Sequence, residues 1–358
     1  MPLKINKTIA AIPVYPVAST YDFGGPLAKL ASNESPFSPH PAVAEAIAAA
    51  GRDVNRYPDP AGTALRAALA ATYDVATERI VLGNGSCEIL LAAAQVMLEP
   101  GAEIVYAWPS FSMYPHLAAM TGADAIEVPL TADHRHDLPA MAAAITANTR
   151  IVVLCNPNNP TATFVDHAEI ERFIADVPGD VCVIIDEAYI EFVGDAVRDR
   201  LLPQAVDRDN VVITRTFAKV YGLAGLRIGY AFASPRFKQT VDAVRQPFSV
   251  NLVAQAAATE ALRHPDDVTR RILSTRAERD VVEAELRALG LATADTEANF
   301  SWIDLGANDE DVVVDGLAKA GIIVRAGKAL GADGFIRVSY GEHEENERFL
   351  TALAGLLG

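Results

Sequence analysis

Short apolar runs alternate with helical stretches through the middle of the chain. The runs are apolar on both faces, which is typical of strands buried between two layers of helices. We predict strands at 104–107, 125–128, 151–155, 181–185, 211–214 and 228–232, and the first helices between them at 113–121, 138–145 and 166–177. The pattern predicts an α/β fold with a mostly parallel sheet covered on both sides.

A glycine-rich turn lies just before this region. Residues 80–82 form an apolar run, residues 83–86 read Gly-Asn-Gly-Ser, and a helix is predicted at 87–98. Free backbone N–H groups at a helix start can bind an anion. The same residues also fit an ordinary helix start with Ser86 as the cap.

The rest of the chain predicts a second, smaller unit. Near the N-terminus, one helix is predicted to begin at 41 and another lies at 63–73. After residue 247, helices are predicted at 251–263, 266–289, 309–320 and 344–357, and strands at 299–303, 322–325 and 335–339. We expect an N-terminal arm and part of the small domain at 1–37, a large domain at 38–247, and an interdomain helix with a small α+β domain at 248–358.

Polar and aromatic residues follow four of the predicted strands directly. They fall in segments 108–112, 156–161 and 186–189 and at Lys219. Ligands gather at the carboxyl ends of the strands in parallel sheets. Single polar residues after strands are usually turn residues, but four such groups in one sheet favour a common site.

Lys219 lies in segment 214–230, which contains three glycines. Glycine is unfavourable inside helices, so this segment predicts a tight loop. A lysine held there, partly desolvated, is suited to covalent chemistry with carbonyl groups, and the nearby Arg227 is suited to gripping a phosphate. Pyridoxal phosphate needs both groups. Taken without the rest of the sequence, Lys219 and Arg227 also fit two surface charges on a solvated loop.

The sequence resembles the fold-type I pyridoxal-phosphate aminotransferases. Arg-Thr-Phe-Ala-Lys at 215–219 and Gly-Leu-Ala-Gly-Leu-Arg at 222–227 are similar to the histidinol-phosphate branch and its aromatic relatives. The likeness runs from the segment 29–34 to 337–340 and on to 346, nearly the whole chain. The resemblance implies an aspartate-aminotransferase-like fold, with a large cofactor-binding domain and a small one.

The resemblance and the needs of the cofactor assign roles to residues at the strand ends. Lys219 attaches the cofactor and carries protons, and Asp186 pairs with the pyridine nitrogen. The other cofactor contacts implied are Tyr189 and Asn159 at the phenolic oxygen, Phe111 on the ring face, Gly85, Ser86, Cys87, Thr216 and Arg227 at the phosphate, and Tyr57 at the phosphate of the neighbouring subunit. The role of Tyr57 implies a homodimer, although a tyrosine packed beside a turn also fits.

Substrate contacts are implied for a second set of residues. They are Arg337 at the α-carboxylate, Arg325 at a second anionic group, and Tyr15, Asn33 and Asn159 in the pocket. An arginine within an apolar strand needs an anion, so a structural salt bridge is the alternative for Arg337. Tyr15 is flanked by prolines and equally fits a packing anchor.

Three positions depart from the family pattern. Cys87 replaces an acidic residue, and Ala218 replaces a serine that contacts phosphate in many relatives. Ala162 stands where glycine is usual, which requires a negative φ or some strain. None of these changes removes the lysine or the aspartate.

The partners expected are a small amino donor and a 2-oxo acid. Transamination between histidinol phosphate and 2-oxoglutarate, giving imidazole-acetol phosphate and glutamate in histidine biosynthesis, is the preferred interpretation, because segments 84–86 and 109–111 look closer to that branch. An aromatic amino acid aminotransferase is the alternative. A lyase or decarboxylase on the same scaffold, or a binding protein without activity, is also open, although the latter predicts loss of Lys219 or Asp186.

Composition narrows the class of protein. The 358 residues carry a formal net charge of −16, which disfavours nucleic acid or an anionic membrane as a partner. The three cysteines lack metal or disulfide spacing, and neither a leader peptide nor a membrane span is recognisable. We expect a cytoplasmic enzyme.

Two other cofactor classes are disfavoured. The pair His134 and His136 suggests metal ligands, but without a further cluster it fits an exposed loop before a helix. The turn 83–85 lacks the third glycine of a dinucleotide site, and the sequence has no P-loop pattern. We expect no metal.

Overall fold

The structure is a computed structural model that describes residues 3–4, 9 and 24–357, with the side chains of 195 and 196 left out. The predicted pocket residue Tyr15 lies outside the described residues.

A seven-stranded sheet forms the centre of the fold. In chain order its strands are β2 Ile80–Gly83, β3 Glu103–Trp108, β4 Asp124–Pro129, β5 Thr149–Cys155, β6 Cys182–Asp186, β7 Val211–Thr216 and β8 Gly229–Phe232. Across the sheet the order is β2-β8-β7-β6-β5-β3-β4. Strand β8 is antiparallel to both of its neighbours, and the other pairs are parallel. The prediction of a mostly parallel sheet is therefore confirmed.

Helices cover the sheet and build the rest of the molecule. They are α1 Pro41–Ala50, α2 Thr63–Tyr73, α3 Ser86–Met97, α4 Met113–Thr121, α5 Leu138–Ala143, α6 His167–Asp176, α7 Asp195–Arg198, α8 Leu202–Asp207, α9 Pro235–Val244, α10 Leu252–Ala261, α11 Pro265–Ala288, α12 Glu310–Lys319 and α13 His343–Leu357. The predicted first residues Asp166, Asn251 and Asp309 are instead N-caps, whose side chains accept hydrogen bonds from the first turn.

Alternate residues of each central strand enter different hydrophobic clusters. Ile104 and Tyr106 pack on one face of the sheet, whereas Val105 and Ala107 pack on the other. Side chains in a strand point to opposite faces in turn, so a strand that is apolar throughout buries both. Full burial of each large aliphatic side chain stabilises the fold by roughly 1.5–3 kcal/mol. The sheet is therefore rigid, and the ends of its strands can hold polar groups in fixed positions.

A second sheet lies in the C-terminal part of the chain. Strands β9 Ala292–Thr293, β10 Phe300–Asp304, β12 Arg325–Ala326 and β13 Phe335–Ser339 form it in the order β12-β13-β10-β9, with antiparallel pairs throughout. The single strand predicted at 322–325 is wrong in one respect, because it divides at Val324. Its first half, β11 Ile322–Ile323, pairs in parallel with β1 Ala28–Lys29 instead.

The pairing of β1 with β11 ties the N-terminal segment to the C-terminal part of the chain. It agrees with an arm that contributes to the small domain, but the domain boundaries themselves stay a prediction. Within the described residues, no helix has both the length and the apolar composition needed to cross a membrane.

The expected position of the two histidines is partly wrong. His136 precedes helix α5 as predicted, but it is buried, and its ring nitrogen lies 3.2 Å from the side-chain oxygen of Asn158. Burial lowers the pKa of His136 to about 4, so the ring is neutral near pH 7. Among the described residues no group of three or more potential metal ligands occurs.

Candidate active site

Asp186 is the last residue of β6 and is 2% exposed. Its two carboxylate oxygens receive hydrogen bonds from two hydroxyl groups: Tyr114 at 3.1 Å and Thr214 at 3.2 Å. Burial raises the pKa of Asp186, while these bonds and the charge of Lys219 lower it. The predicted desolvation of this carboxyl group is confirmed.

Lys219 lies on a turn, three residues after the end of β7. The backbone nitrogen of Gly222 donates to the carbonyl oxygen of Lys219 at 3.0 Å and closes this turn. Lys219 Nζ donates to the carbonyl oxygen of Ser32 at 3.0 Å and lies 5.4 Å from the ring centroid of Tyr189. Burial, and next the charge of Arg337, lower the pKa of Lys219 to about 8. A substantial fraction of the amine is therefore neutral near that pH and able to attack a carbonyl group.

Asn33 links Tyr189 to the second sheet. Its side-chain nitrogen donates to the Tyr189 hydroxyl at 3.0 Å, and its side-chain oxygen accepts from Ser339 at 3.0 Å. Arg337, on the neighbouring part of β13, donates to the side-chain oxygen of Asn159 and to the carbonyl oxygen of Ala31. Predicted residues from four distant segments thus form two hydrogen-bonded groups, both held by residues of β13.

The anion-binding end of the site is the start of helix α3. Its N-cap is Gly85, with a φ of 74° and no side-chain cap, so the alternative in which Ser86 is the cap is wrong: Ser86 is the first helical residue. A Cβ at Gly85 would lie 2.7 Å from Arg227 Nη2, so only glycine lets this guanidinium approach the turn. The N–H groups of the first helical turn and a nearby cation provide an anion site.

Two residues close to this turn set its shape. Gly229 pairs with Gly83 across β8 and β2, and a Cβ at Gly229 would lie 2.4 Å from the backbone nitrogen of Ser86. Thr216 Oγ1 accepts a hydrogen bond from the backbone nitrogen of Ala218 at 3.0 Å, which fixes the start of the lysine loop.

Burial raises the pKa of the Cys87 thiol, and the charges of Asp186, Arg227 and Lys219 all influence it.

Phe111 and Tyr57 have different environments. Phe111 is half-buried and packs edge-on against Tyr114, with ring centroids 5.7 Å apart. Tyr57 is 81% exposed and stacks on Phe248 at 4.5 Å. The high exposure of Tyr57 therefore gives no sign that its side chain lines the site of its own chain.

Arg325 and Arg337 are directly opposite one another on β12 and β13. Both are largely buried, at 9% and 6% exposure. The pairing brings two guanidinium side chains to one part of the second sheet, where Arg337 contacts Asn159.

The residues present fit pyridoxal phosphate. A reactive amine after β7, a buried carboxylate at the end of β6 and a glycine cradle after β2, under an arginine, are each suited to one part of that molecule. The family model of the aminotransferases of class I and II matches residues 26–353. The chain belongs to this family. Pyridoxal phosphate is its cofactor, and the predicted fold type and enzyme class are confirmed.

Relatives of the aminotransferase span almost its full length. An aromatic amino acid aminotransferase of Thermobifida fusca is 45% identical, over 98% of this chain and 96% of the relative. A histidinol-phosphate aminotransferase of Moorella thermoacetica is 43% identical, over 92% of this chain and 85% of the relative. The crystal structure of the Sinorhizobium meliloti histidinol-phosphate aminotransferase with pyridoxal 5'-phosphate superposes with a TM-score of 0.89 at 28% identity, covering 99% of this chain and 97% of that one.

Several residues of the aminotransferase site were missed from the sequence. Tyr114 and Thr214 contact Asp186, and Ser339 contacts Asn33. Thr214 was detectable in principle, because it ends the predicted strand 211–214, and Asp186 directly follows the predicted strand 181–185; the two residues are paired across β6 and β7. Tyr114 had no comparable pattern, since its contact depends on how α4 packs on the sheet.

Proposed function

We propose that the enzyme transfers the amino group of an aromatic amino acid to a 2-oxo acid, using Lys219 and Asp186 as its central groups. The observation that carries this proposal is the pair itself: a buried carboxylate at the end of β6 and an amine of lowered pKa just after β7. These strands are adjacent and parallel. Pyridoxal phosphate, when bound, supplies an electron sink and an aldehyde for the amino group.

Lys219 has two tasks in this proposal. With pyridoxal phosphate bound, its neutral amine would be the nucleophile for the aldehyde group, with release of water, and the same Nζ, when free, would be the base and acid that moves the proton at the substrate Cα. The lowered pKa makes the amine an effective base near pH 8. The hydrogen bond to Ser32 holds the amine close to the point of transfer.

Asp186, Tyr189 and Asn159 orient the cofactor ring in this proposal. The buried Asp186 would accept a hydrogen bond from the pyridine nitrogen and keep it protonated. Tyr189 and Asn159 would bond to the phenolic oxygen, and Phe111 would cover one ring face. Gly85, Ser86, Cys87, Thr216 and Arg227 hold the phosphate, with Cys87 acting through its backbone.

Arg337 is proposed to bind the α-carboxylate that every amino acid donor and 2-oxo acid acceptor carries. It donates a hydrogen bond to Asn159, and its charge acts on the hydroxyl group of Tyr189, whose pKa it lowers. A planar guanidinium can bind a carboxylate with two bonds. Tyr15 stays a predicted pocket residue.

The choice of donor changes from the one that the sequence motifs favour. Relatives named for aromatic amino acids match this chain over nearly the full length of both proteins, which supports an aromatic donor. Histidinol phosphate is the second candidate, because Arg325 lies beside Arg337 and suits a phosphate group. With 2-oxoglutarate that reaction would belong to histidine biosynthesis.

A homodimer is part of the proposal. Tyr57 is exposed and held against Phe248, as expected of a side chain that reaches the phosphate bound by a neighbouring subunit. Two aromatic residues exposed side by side also mark a surface suited to a protein partner.

Steady-state kinetics test the proposed function. We expect kcat/KM for phenylalanine or tyrosine, with 2-oxoglutarate as acceptor, to exceed that for histidinol phosphate by at least about tenfold, a difference of roughly 1.4 kcal/mol in transition-state binding. The reverse ranking would select histidinol phosphate. Release of carbon dioxide or of a sulfur product without an oxo-acid requirement would contradict transamination.

A further inference from the structure

Asp186 is held by hydroxyl groups from two separate elements. Tyr114 on α4 donates to one carboxylate oxygen, and Thr214 on β7 donates to the other. Both donors are fully buried. These two bonds, with one from the backbone of Ala188, fix the orientation of the carboxyl group.

The position of the Tyr114 hydroxyl is determined by packing. Its ring contacts Tyr106 on β3 and Phe111 before α4, with centroid distances of 5.9 and 5.7 Å. Phe111 is itself proposed to lie on the cofactor ring. The aromatic group thus places the hydroxyl 3.1 Å from Asp186 Oδ2 and leaves it little freedom to turn away.

The two hydrogen bonds from hydroxyl groups favour the charged form of Asp186, whereas burial disfavours it. Among the described side chains none forms an ion pair with Asp186, so bonds from neutral hydroxyl groups are its direct side-chain support. A hydrogen bond to a charged group is stronger than one between neutral groups. Loss of the Tyr114 bond favours the protonated form of the carboxyl group.

We propose that Tyr114 is a positioning residue that keeps the Asp186 carboxylate charged and directed at the pyridine nitrogen of the cofactor. This inference rests on the proposed role of Asp186. Tyr114 itself does not touch the reacting atoms. Its effect passes entirely through the bond to Asp186, so its removal should alter how the apoenzyme binds pyridoxal phosphate and the protons that accompany binding.

Tyr114→Phe and Tyr106→Phe form a matched pair of variants. Each removes one buried tyrosine hydroxyl that donates to a carboxylate, Asp186 in the first case and Glu127 at 3.1 Å in the second. Both rings remain in the same hydrophobic cluster. A purely structural role predicts equal effects on the two proteins.

The readouts are the affinity of the apoenzyme for pyridoxal phosphate and the proton uptake on binding, both from calorimetry in buffers of different ionisation enthalpy. We expect Tyr114→Phe to weaken affinity at pH 7.5 by about tenfold. Proton uptake should also fall, because a carboxyl group that already carries a proton can pass it to the pyridine nitrogen. Tyr106→Phe should match the wild type in both measurements.

Two outcomes separate this inference from the proposed function. If Tyr114→Phe matches Tyr106→Phe while Asp186→Asn still weakens binding, the positioning role is wrong and the role of Asp186 stands. If Asp186→Asn binds the cofactor as the wild type does, the proposed function is wrong as well. Should Tyr114→Phe fail to fold, Thr214→Val removes the other hydroxyl, and the same decreases in affinity and proton uptake support the inference while wild-type values contradict it.

Discussion

The amine of Lys219 donates a hydrogen bond to the main-chain oxygen of Ser32, a residue 187 positions earlier in the chain. Ser32 follows the strand β1, which is paired with β11. The lysine on the central sheet is therefore linked directly to the segment that joins the N-terminal and C-terminal parts. A fixed backbone acceptor orients the amine without neutralising it.

Lys219→Ala should abolish covalent attachment of the cofactor while the protein stays folded. In the wild type, the initial rate of attachment should rise with pH up to about 8, because the neutral amine is the nucleophile. Borohydride reduction followed by mass spectrometry measures it. Lys319→Ala, which changes an exposed lysine paired with Asp315, is the control and should retain attachment. Attachment that persists in Lys219→Ala would assign the role to another amine.

Arg337→Ala and Arg325→Ala should affect different substrates. Loss of Arg337 should lower kcat/KM for phenylalanine and histidinol phosphate alike when 2-oxoglutarate is the acceptor, by about a hundredfold, because a buried charge-assisted contact is removed. Loss of Arg325 should lower it for the phosphorylated donor alone. Steady-state kinetics with both donors measure this, and thermal unfolding checks that each variant is folded. Equal loss for both donors in Arg325→Ala contradicts a phosphate-specific role.

Tyr57 can be tested by mixing two inactive variants. If it serves the neighbouring subunit, a dimer of one Tyr57→Ala chain and one Lys219→Ala chain contains one intact site and one doubly altered site. Random exchange of equal amounts should restore about a quarter of wild-type activity, since half of the dimers are mixed and each has one site. Analytical ultracentrifugation checks the dimer. Activity no higher than the sum of the separate variants would place Tyr57 at its own site or outside any site.

Some features of the fold and the site were predictable because they depend on local sequence. The alternation of apolar runs and helices predicts the central sheet, and strand ends predict where Asp186 and Lys219 lie. The predicted strand at 322–325 divides because Val324 separates two pairings with different partner strands, which no local pattern records. Distant contacts decide such features.

Individual conformations were also beyond local sequence. The sequence left either a negative φ or some strain open at Ala162. The residue has a φ of 60° and is fully buried, so its backbone is strained. Its backbone nitrogen donates to the carbonyl oxygen of Asn158 at 2.7 Å, and its carbonyl oxygen accepts from Glu297 at 2.9 Å. The surrounding loop imposes this conformation, whichever residue occupies the position.

Gly229→Ala should weaken binding of pyridoxal phosphate more than it weakens the fold. The added Cβ would meet the backbone of Gly85 and Ser86, so the start of α3 must shift from its present position. We expect at least about a tenfold loss of affinity in calorimetry, since the anion site depends on aligned N–H groups. Gly225→Ala is the control, because a Cβ there meets no atom within 4 Å. Unchanged affinity would show that the phosphate is bound elsewhere.

Glu191 lies two residues after Tyr189 in the buried region behind the site. Burial raises its pKa to about 7, although the charges of Arg215 and Arg198 oppose this and that of Glu187 adds to it. Arg215 is itself occupied by ion pairs with Glu187 at 2.7 Å and Asp199 at 2.8 Å. The folded state therefore binds a proton at Glu191 more tightly than the unfolded state does.

The sign of the resulting pH dependence follows from this difference. The unfolded carboxyl group ionises near its ordinary pKa of 4.5, so stability is lost as pH rises from there to about 7. Glu191→Gln keeps the shape without the charge. We expect it to raise the free energy of unfolding by on the order of 2 kcal/mol at pH 8 and to change it little at pH 5. Urea denaturation at both pH values measures it, with the exposed Glu45→Gln expected to stay within about 0.5 kcal/mol of the wild type. A variant less stable than the wild type at pH 8 would mean that the attraction between Glu191 and Arg215 outweighs the cost of burying the charge.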